Sequence, residues 1–152
     1  MHRRFVLSLA LGSLATAAIA RSPEPELAQL TVYKSPSCGC CSAWVDHLFS
    51  EGLSAETIDV DYYQLQAVKV RNGITPELSS CHTALVDGYF IEGHVPASDI
   101  KRLMAERPDA LGLTVPGMPI GSPGMEMGEE REPFDTLLVL NDGSTEIFAQ
   151  HS

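Results

Sequence analysis

The sequence predicts an α/β fold with the element order β-α-β-α-β-β-α and a β-hairpin added at its C-terminal end. Short apolar runs alternate with helix-like segments over residues 30–73. An Asp-Gly pair at residues 87–88 separates two further apolar runs, and a third helix-like segment follows before Pro108. These three observations together favour a sheet covered by helices.

The first half of the folded region is predicted as strand, helix, strand, helix. Residues 30–33 form the first strand, and the helix after it carries apolar residues on one face until it ends at Gly52. Residues 55–60 form the second strand. Asp61 caps the second helix, which closes at Gly73 before the next proline.

A hairpin and a third helix come next. Residues 83–86 and 89–92 form the hairpin, because the Asp-Gly pair between them readily adopts the positive φ angles of a two-residue turn. The third helix begins near Pro96, where a missing amide costs nothing, and ends before Pro108. Up to this point the order is that of thioredoxin-like folds.

The C-terminal part is predicted as a loop followed by a hairpin. Residues 112–133 are rich in Gly, Pro and Met and form an ordered loop, and residues 136–140 and 145–148 form the last hairpin. With residues 21–29 as a short leader, residues 30–150 fit a single domain.

Residues 1–20 have the features of a signal peptide: a basic start with Arg3 and Arg4, an apolar stretch, and small residues around Ala20. The apolar stretch is shorter than the ~20 residues of a spanning helix. We therefore expect an exported protein that is not inserted in the membrane after cleavage. Paired arginines are common in ordinary signal peptides, so the general secretory route is favoured over the twin-arginine route.

The charge of the chain excludes some partners. Ten basic and 20 acidic residues give a formal net charge of −10. Nucleic acid and anionic membrane surfaces are therefore not expected to bind. Solubility explains the acidity without a specific ligand.

Three of the four cysteines lie within four residues, at the predicted junction between the first strand and the first helix. Cys38 and Cys41 have the C-x-x-C spacing of a redox dithiol, whereas Cys38 and Cys40 have the spacing of a chelating pair. Free amides and the helix dipole at this position stabilise a thiolate. The cluster is the expected site of the chemistry.

The predicted topology brings further ligands to the same end of the sheet. Cys81 and His82 precede the third strand, and His94 follows the fourth. Because neighbouring strand residues point to opposite faces, only one of Cys81 and His82 is expected to face the site, and we choose Cys81. His47 is expected on the surface, and His151 in a frayed tail.

The residue types favour a soft metal. Thiolates and thioethers prefer Cu(I), and adjacent Cys40 and Cys41 suit several ions with shared thiolates better than one tetrahedral ion. Met118, Met125 and Met127 could supply thioethers, or could equally cover the core as flexible apolar side chains.

Two other uses of the cysteines stay open. Exported proteins often carry structural disulfides, although bridges within residues 38–41 would close almost no loop and add little stability. A redox couple of Cys38 and Cys41, with Cys40 or Cys81 as a resolving thiol, is also possible and is compatible with metal binding.

Several segments resemble the signature blocks of the CopG-type periplasmic copper- and metal-binding proteins. They are residues 33–41 (YKSPSCGCC), 80–84 (SCHTA), 91–96 (IEGHVP), 115–119 (VPGMP) and 121–126 (GSPGME). The resemblance extends over about residues 31–148. It implies copper handling or copper resistance in the periplasm, with the cysteines as ligands or redox partners.

We therefore expect a periplasmic protein that binds Cu(I), with other copper-handling proteins as its exchange partners. The expected ligands are Cys38, Cys40, Cys41 and Cys81, completed by His94 and by Met118 or Met125. Copper sequestration or redox conversion would be its role. The alternatives are a thiol-disulfide oxidoreductase, in which Cys38 attacks and Cys41 resolves, and a purely structural exported domain.

Overall fold

A computed structural model of the protein describes residues 28–152. The predicted signal peptide and residues 21–27 of the predicted leader lie outside the described residues. The elements of the described part are β1 (Gln29–Lys34), α1 (Gly39–Ser50), β2 (Ser54–Asp59), α2 (Tyr62–Arg71), a 3-10 turn (Pro76–Leu78), β3 (Thr83–Val86), β4 (Tyr89–Glu92), α3 (Ala97–Glu106), β5 (Gly112–Thr114), β6 (Phe134–Val139) and β7 (Thr145–His151).

All seven strands of this part form one mixed sheet in the order β2-β1-β3-β4-β5-β6-β7. β1 is parallel to β2 and antiparallel to β3, and β3 and β4 form the predicted hairpin. The α/β class and the element order as far as α3 are confirmed. No helix within residues 28–152 is long and apolar enough to cross a membrane.

β5 corrects the prediction of a loop over the whole of residues 112–133. Residues 112–114 form a short strand that runs parallel to β4 and antiparallel to β6. Gly112 permits this pairing, because a Cβ atom at this position would overlap the backbone carbonyl of Phe90. Through β5, the C-terminal hairpin extends the sheet.

Helix α1 ends and helix α2 begins where the sequence predicted. Asp61 and Gln64 form a capping box at the start of α2, with Asp61 accepting from the Gln64 amide at 2.8 Å. Gly52 has a φ of 79° just after α1, as predicted for its end. The main core contains fully buried side chains of α1, α3 and the sheet, among them Trp44, Leu48, Ile91, Ile100 and Leu103.

The strand register brings three segments to one end of the sheet. Tyr33, near the end of β1, pairs with Thr83 at the start of β3, and Thr83 pairs with Glu92 at the end of β4. The N-terminus of α1, the segment before β3 and the turn after β4 therefore meet there. This is the convergence on which the predicted site depends.

Candidate metal centre

Four cysteine sulfurs form a ring at this end of the sheet. Cys38 and Cys41 are joined by a disulfide, and Cys40 and Cys81 are free thiols. The Sγ atom of Cys40 lies 3.5 Å from that of Cys38 and 3.9 Å from that of Cys81. The ring closes over 3.5 Å between the Sγ atoms of Cys41 and Cys81. The four predicted cysteines are thus in mutual reach.

Two elements position the ring. Cys38 is the N-cap residue of α1, and Cys40 and Cys41 lie in its first turn. Cys81 comes from the bend that precedes β3. The α1 N-terminus carries the positive end of the helix dipole, where anionic groups are stabilised.

Two histidines extend the ring on the Cys81 side. The Cys81 Sγ atom lies 3.1 Å from Nε2 of His94 and 3.3 Å from Nδ1 of His82. Nδ1 of His94 donates a hydrogen bond to the carbonyl oxygen of Pro123 at 2.8 Å. This bond places the proton on Nδ1 and leaves the lone pair of Nε2 directed at the sulfur, as a metal ligand requires.

Burial keeps both imidazoles neutral. It lowers the pKa of His94 and lowers the pKa of His82 well below the usual value, and the neighbouring His94 lowers the His82 pKa further. Nε2 of His82 has no hydrogen-bond partner among the described residues, and its ring packs on Trp44 at 4.4 Å between centroids. Neutral imidazoles can bind a metal without first losing a proton.

The expectation that only one of Cys81 and His82 would face the site is wrong. Both lie within one group of possible ligands with His94. Strand alternation does not apply, because β3 begins only at Thr83, Cys81 lies in a bend and His82 lies between that bend and the strand. The signal that could have indicated His82 is its position outside the apolar run of β3.

Cys81 is held as a protonated thiol in the metal-free chain. Burial raises its pKa to about 12, and the nearby Cys40 contributes to the rise. A bound cation would displace this proton, because a metal ligand is the thiolate.

A buried ion pair, which the sequence did not indicate, fixes the Cys81 segment. Lys69 of α2 contacts Glu92 of β4, and both side chains are buried. The Glu92 carboxylate also accepts hydrogen bonds from the Ser80 amide and the Thr83 hydroxyl, each at 2.6 Å. Residues on both sides of Cys81 are therefore attached to one carboxylate. Burial raises the pKa of Glu92, and Lys69 and these hydrogen bonds oppose that rise.

The loop after β5 contacts the site through its backbone. The Pro123 carbonyl contacts His94, and Gly124 lies against the start of α1. A Cβ atom on Gly124 would be 2.7 Å from the carbonyl oxygen of Cys40. Met118 is 52% exposed and lines a separate cavity of about 670 Å³. Met125 is half-buried within the loop, and Met127 is exposed. Thioether ligation therefore stays a prediction.

The two remaining described histidines have structural roles. His47 is half-buried, and its Nε2 accepts a hydrogen bond from the Ala97 amide at the start of α3 at 3.2 Å. His151 is not in a frayed tail, because β7 continues through it opposite Phe134. Its Nε2 lies 2.9 Å from Asp99 of α3, and its ring stacks on Phe134.

Comparison with known proteins gives two kinds of match. Residues 78–125 match a family described as "Protein of unknown function, DUF411". Two solved structures, titled "Copper resistance protein copG- Form 2" and "Form 1", are each 40% identical to this chain, with TM-scores of 0.77 and 0.78. The first match covers 84% of this chain and 100% of the other, and the second covers 83% and 98%. Among curated proteins, none is significantly similar.

Proposed function

Because this chain belongs to the CopG family of copper resistance proteins, we propose that it binds copper as Cu(I) through the ring of four cysteines. The observation that carries this proposal is the ring itself, in which neighbouring Sγ atoms lie no more than 3.9 Å apart. Soft thiolates in this number favour Cu(I) over harder cations.

His94 and His82 are the proposed additional ligands. Nε2 of His94 already faces the ring with its lone pair available, and Nδ1 of His82 approaches the same sulfur. The hydrogen bond from His94 to Pro123 would hold the imidazole in position, as outer-shell partners of ligating histidines do. Met118 or Met125 would complete the ligand set.

The ring can use all four sulfurs only in its reduced state. A disulfide sulfur is a poor ligand compared with a thiolate. The disulfide between Cys38 and Cys41 thus leaves Cys40 and Cys81 as the available thiols. In the reduced chain, adjacent Cys40 and Cys41 suit several copper ions that share bridging thiolates.

The proposed biological role is copper resistance in the periplasm, after export by the predicted signal peptide. The chain would sequester Cu(I) and exchange it with other copper-handling proteins, or convert copper between oxidation states. Residues 30–150 would act as a single thioredoxin-like domain. The net charge of −10 would attract a cation weakly and non-specifically.

A copper titration tests this proposal. The full chain, reduced and kept free of oxygen, is titrated with Cu(I) against a competing chelator, and bound copper and free thiols are counted together. Cys38→Ser and Cys81→Ser should each lower the affinity, whereas Ser37→Ala, an exposed neighbour of the ring, should not. An isotherm that neither cysteine substitution changes would remove the proposed site.

A second candidate function is thiol-disulfide exchange, favoured by the disulfide between Cys38 and Cys41. The half-buried Cys38 would attack a substrate disulfide, and the buried Cys41 would resolve the intermediate. This function requires disulfide-reductase activity in the metal-free chain that depends on Cys38 and Cys41 but not on Cys81.

A further inference from the structure

We propose that a dithiol protein opens the Cys38–Cys41 disulfide by attacking the Sγ atom of Cys38 from a cavity beside α2. The inference rests on the proposed function, because a four-thiolate copper site exists only after this bond is reduced. It adds a partner and a preceding reaction to that function.

The burial of the two bonded sulfurs sets the direction of attack. Cys41 is fully buried, and its Sγ atom lies against that of Cys81 at 3.5 Å. Cys38 is only partly buried and lines a cavity of about 360 Å³. An external thiol therefore reaches Cys38 and not Cys41.

The cavity has the dimensions and surface for an inserted side chain. Leu65 and Gln66 of α2 form one wall, and Ser80 and Cys81 form part of the other. Tyr62 stands at the cavity with 69% of its surface exposed. A cysteine and the backbone that carries it would contact this aromatic ring on the way to Cys38.

Charge favours a basic segment around the attacking cysteine. Apart from the thiols and Tyr62, two ionisable groups line the cavity, Asp61 and Lys69. Lys69 is neutralised by its buried contact with Glu92, so the exposed Asp61 determines the local charge. The chain as a whole also carries a net charge of −10.

The partner reduces the Cys38–Cys41 disulfide in two steps. A partner thiolate forms a bond to the Sγ atom of Cys38, the Cys38–Cys41 bond breaks, and its electron pair leaves on Cys41 as a thiolate. The second thiol of the partner, as a thiolate, then attacks the partner's own sulfur in the mixed disulfide and releases Cys38 as a thiolate. The partner becomes a disulfide, and this chain gains two electrons and two protons.

The experiment uses a short synthetic peptide dithiol, Cys-x-x-Cys flanked by lysines, as the reductant of the oxidised full chain. A single-cysteine version of the peptide should form its mixed disulfide on Cys38, located by tandem mass spectrometry. This step uses the double variant Cys40→Ser/Cys81→Ser, because the two free thiols could otherwise transfer the peptide from one cysteine to another by disulfide exchange. An adduct on Cys41 would overturn the proposal.

A matched pair of substitutions on α2 tests the cavity. Gln66→Trp should fill it and slow reduction by the peptide at least tenfold, whereas Ala67→Trp, on an exposed neighbouring position, should change the rate less than twofold. A glutamate-flanked peptide should react several-fold more slowly than the lysine-flanked one. Equal rates for the two variants, or no reduction by the peptide, would overturn the proposal.

Copper binding separates this inference from the proposed function. The chain is reduced with excess dithiothreitol, desalted without oxygen and titrated with Cu(I). Cu(I) binding by a chain that the peptide does not reduce at Cys38 would overturn this inference alone. A chain that the peptide reduces at Cys38 but that binds no Cu(I) would contradict the proposed function.

Discussion

At the scale of single residues, His94 has the orientation that the proposed Cu(I) ligation requires. Its Nδ1 proton is engaged by the Pro123 carbonyl, and its Nε2 atom lies 3.1 Å from the Cys81 sulfur. The ring is buried and neutral, so no proton has to leave it before a metal binds. The tautomer needed for ligation is therefore present in the metal-free chain.

We predict that His94→Ala lowers the Cu(I) affinity of the reduced chain. The expected loss is at least about tenfold, the lower end of the range for removal of an outer-shell partner of a ligand. His151→Ala is the control, because that histidine lies on β7, an edge strand separated from β4 by β5 and β6, and contacts Asp99 rather than the ring. Competition titrations measure both variants, and equal affinities for them would contradict the assignment of His94.

His47 supports a prediction on pH, because it is a hydrogen-bond acceptor at the start of α3. Burial lowers its pKa, and burial lowers those of His82 and His94 as well. Below the usual histidine pKa of about 6.5, the unfolded chain therefore binds more protons than the folded chain. The free energy of unfolding of the metal-free chain should fall as the pH is lowered from 7.5 to 5.5.

Denaturant unfolding at several pH values measures this fall. His47→Gln keeps an acceptor for the Ala97 amide but cannot be protonated, so its stability should depend less on pH. A wild-type stability that is constant or rises between pH 7.5 and 5.5 would contradict the neutral state of these imidazoles.

At the scale of elements, the buried pair of Lys69 and Glu92 joins α2 to β4 and to the segment that carries Cys81. We predict that Lys69→Met destabilises the chain by about 3–5 kcal/mol, because it leaves a buried carboxylate without its cation. Lys101→Met, which removes an exposed ion pair with Glu51, should cost at most about 1 kcal/mol. Urea unfolding compares the two, and similar losses would contradict the role of the buried pair.

The contact between the loop after β5 and α1 gives a second prediction at this scale. Gly124 and Gly128 both have positive φ angles, 84° and 78°. Of the two, only Gly124 lies so close to the backbone of α1 that an added Cβ atom would clash with it. Gly124→Ala should displace the Pro123 carbonyl from His94 and lower the Cu(I) affinity about tenfold or more. Gly128→Ala has the same backbone strain without the clash and should retain the affinity.

The measurement is the chelator competition for the two variants, after unfolding curves have shown that both are folded. An unchanged affinity for Gly124→Ala would mean that the loop does not hold the His94 imidazole in its ligating orientation.

At the scale of the whole molecule, the sequence predicted the parts that depend on local patterns. The capping box at Asp61, the Asp-Gly hairpin turn and the cysteine cluster at the start of α1 can all be recognised from neighbouring residues. The convergence of Cys81 and His94 on the cluster followed from strand directions alone.

The features that the sequence did not reveal depend on contacts between distant segments. β5 has three residues, and its pairing with β4 requires the missing side chain of Gly112. Lys69 and Glu92 are 23 positions apart and meet only when α2 packs on the sheet. His82 reaches the site from an irregular position between the bend at Cys81 and β3, which no periodic pattern marks.

X-ray absorption spectroscopy of the reduced, copper-loaded chain shows whether the ring of cysteines binds Cu(I). We expect an edge typical of Cu(I), a first shell dominated by sulfur, and an imidazole contribution that is lost in His94→Ala. A first shell of oxygen and nitrogen alone would contradict Cu(I) binding by the ring, because the copper would then be bound away from the four cysteines.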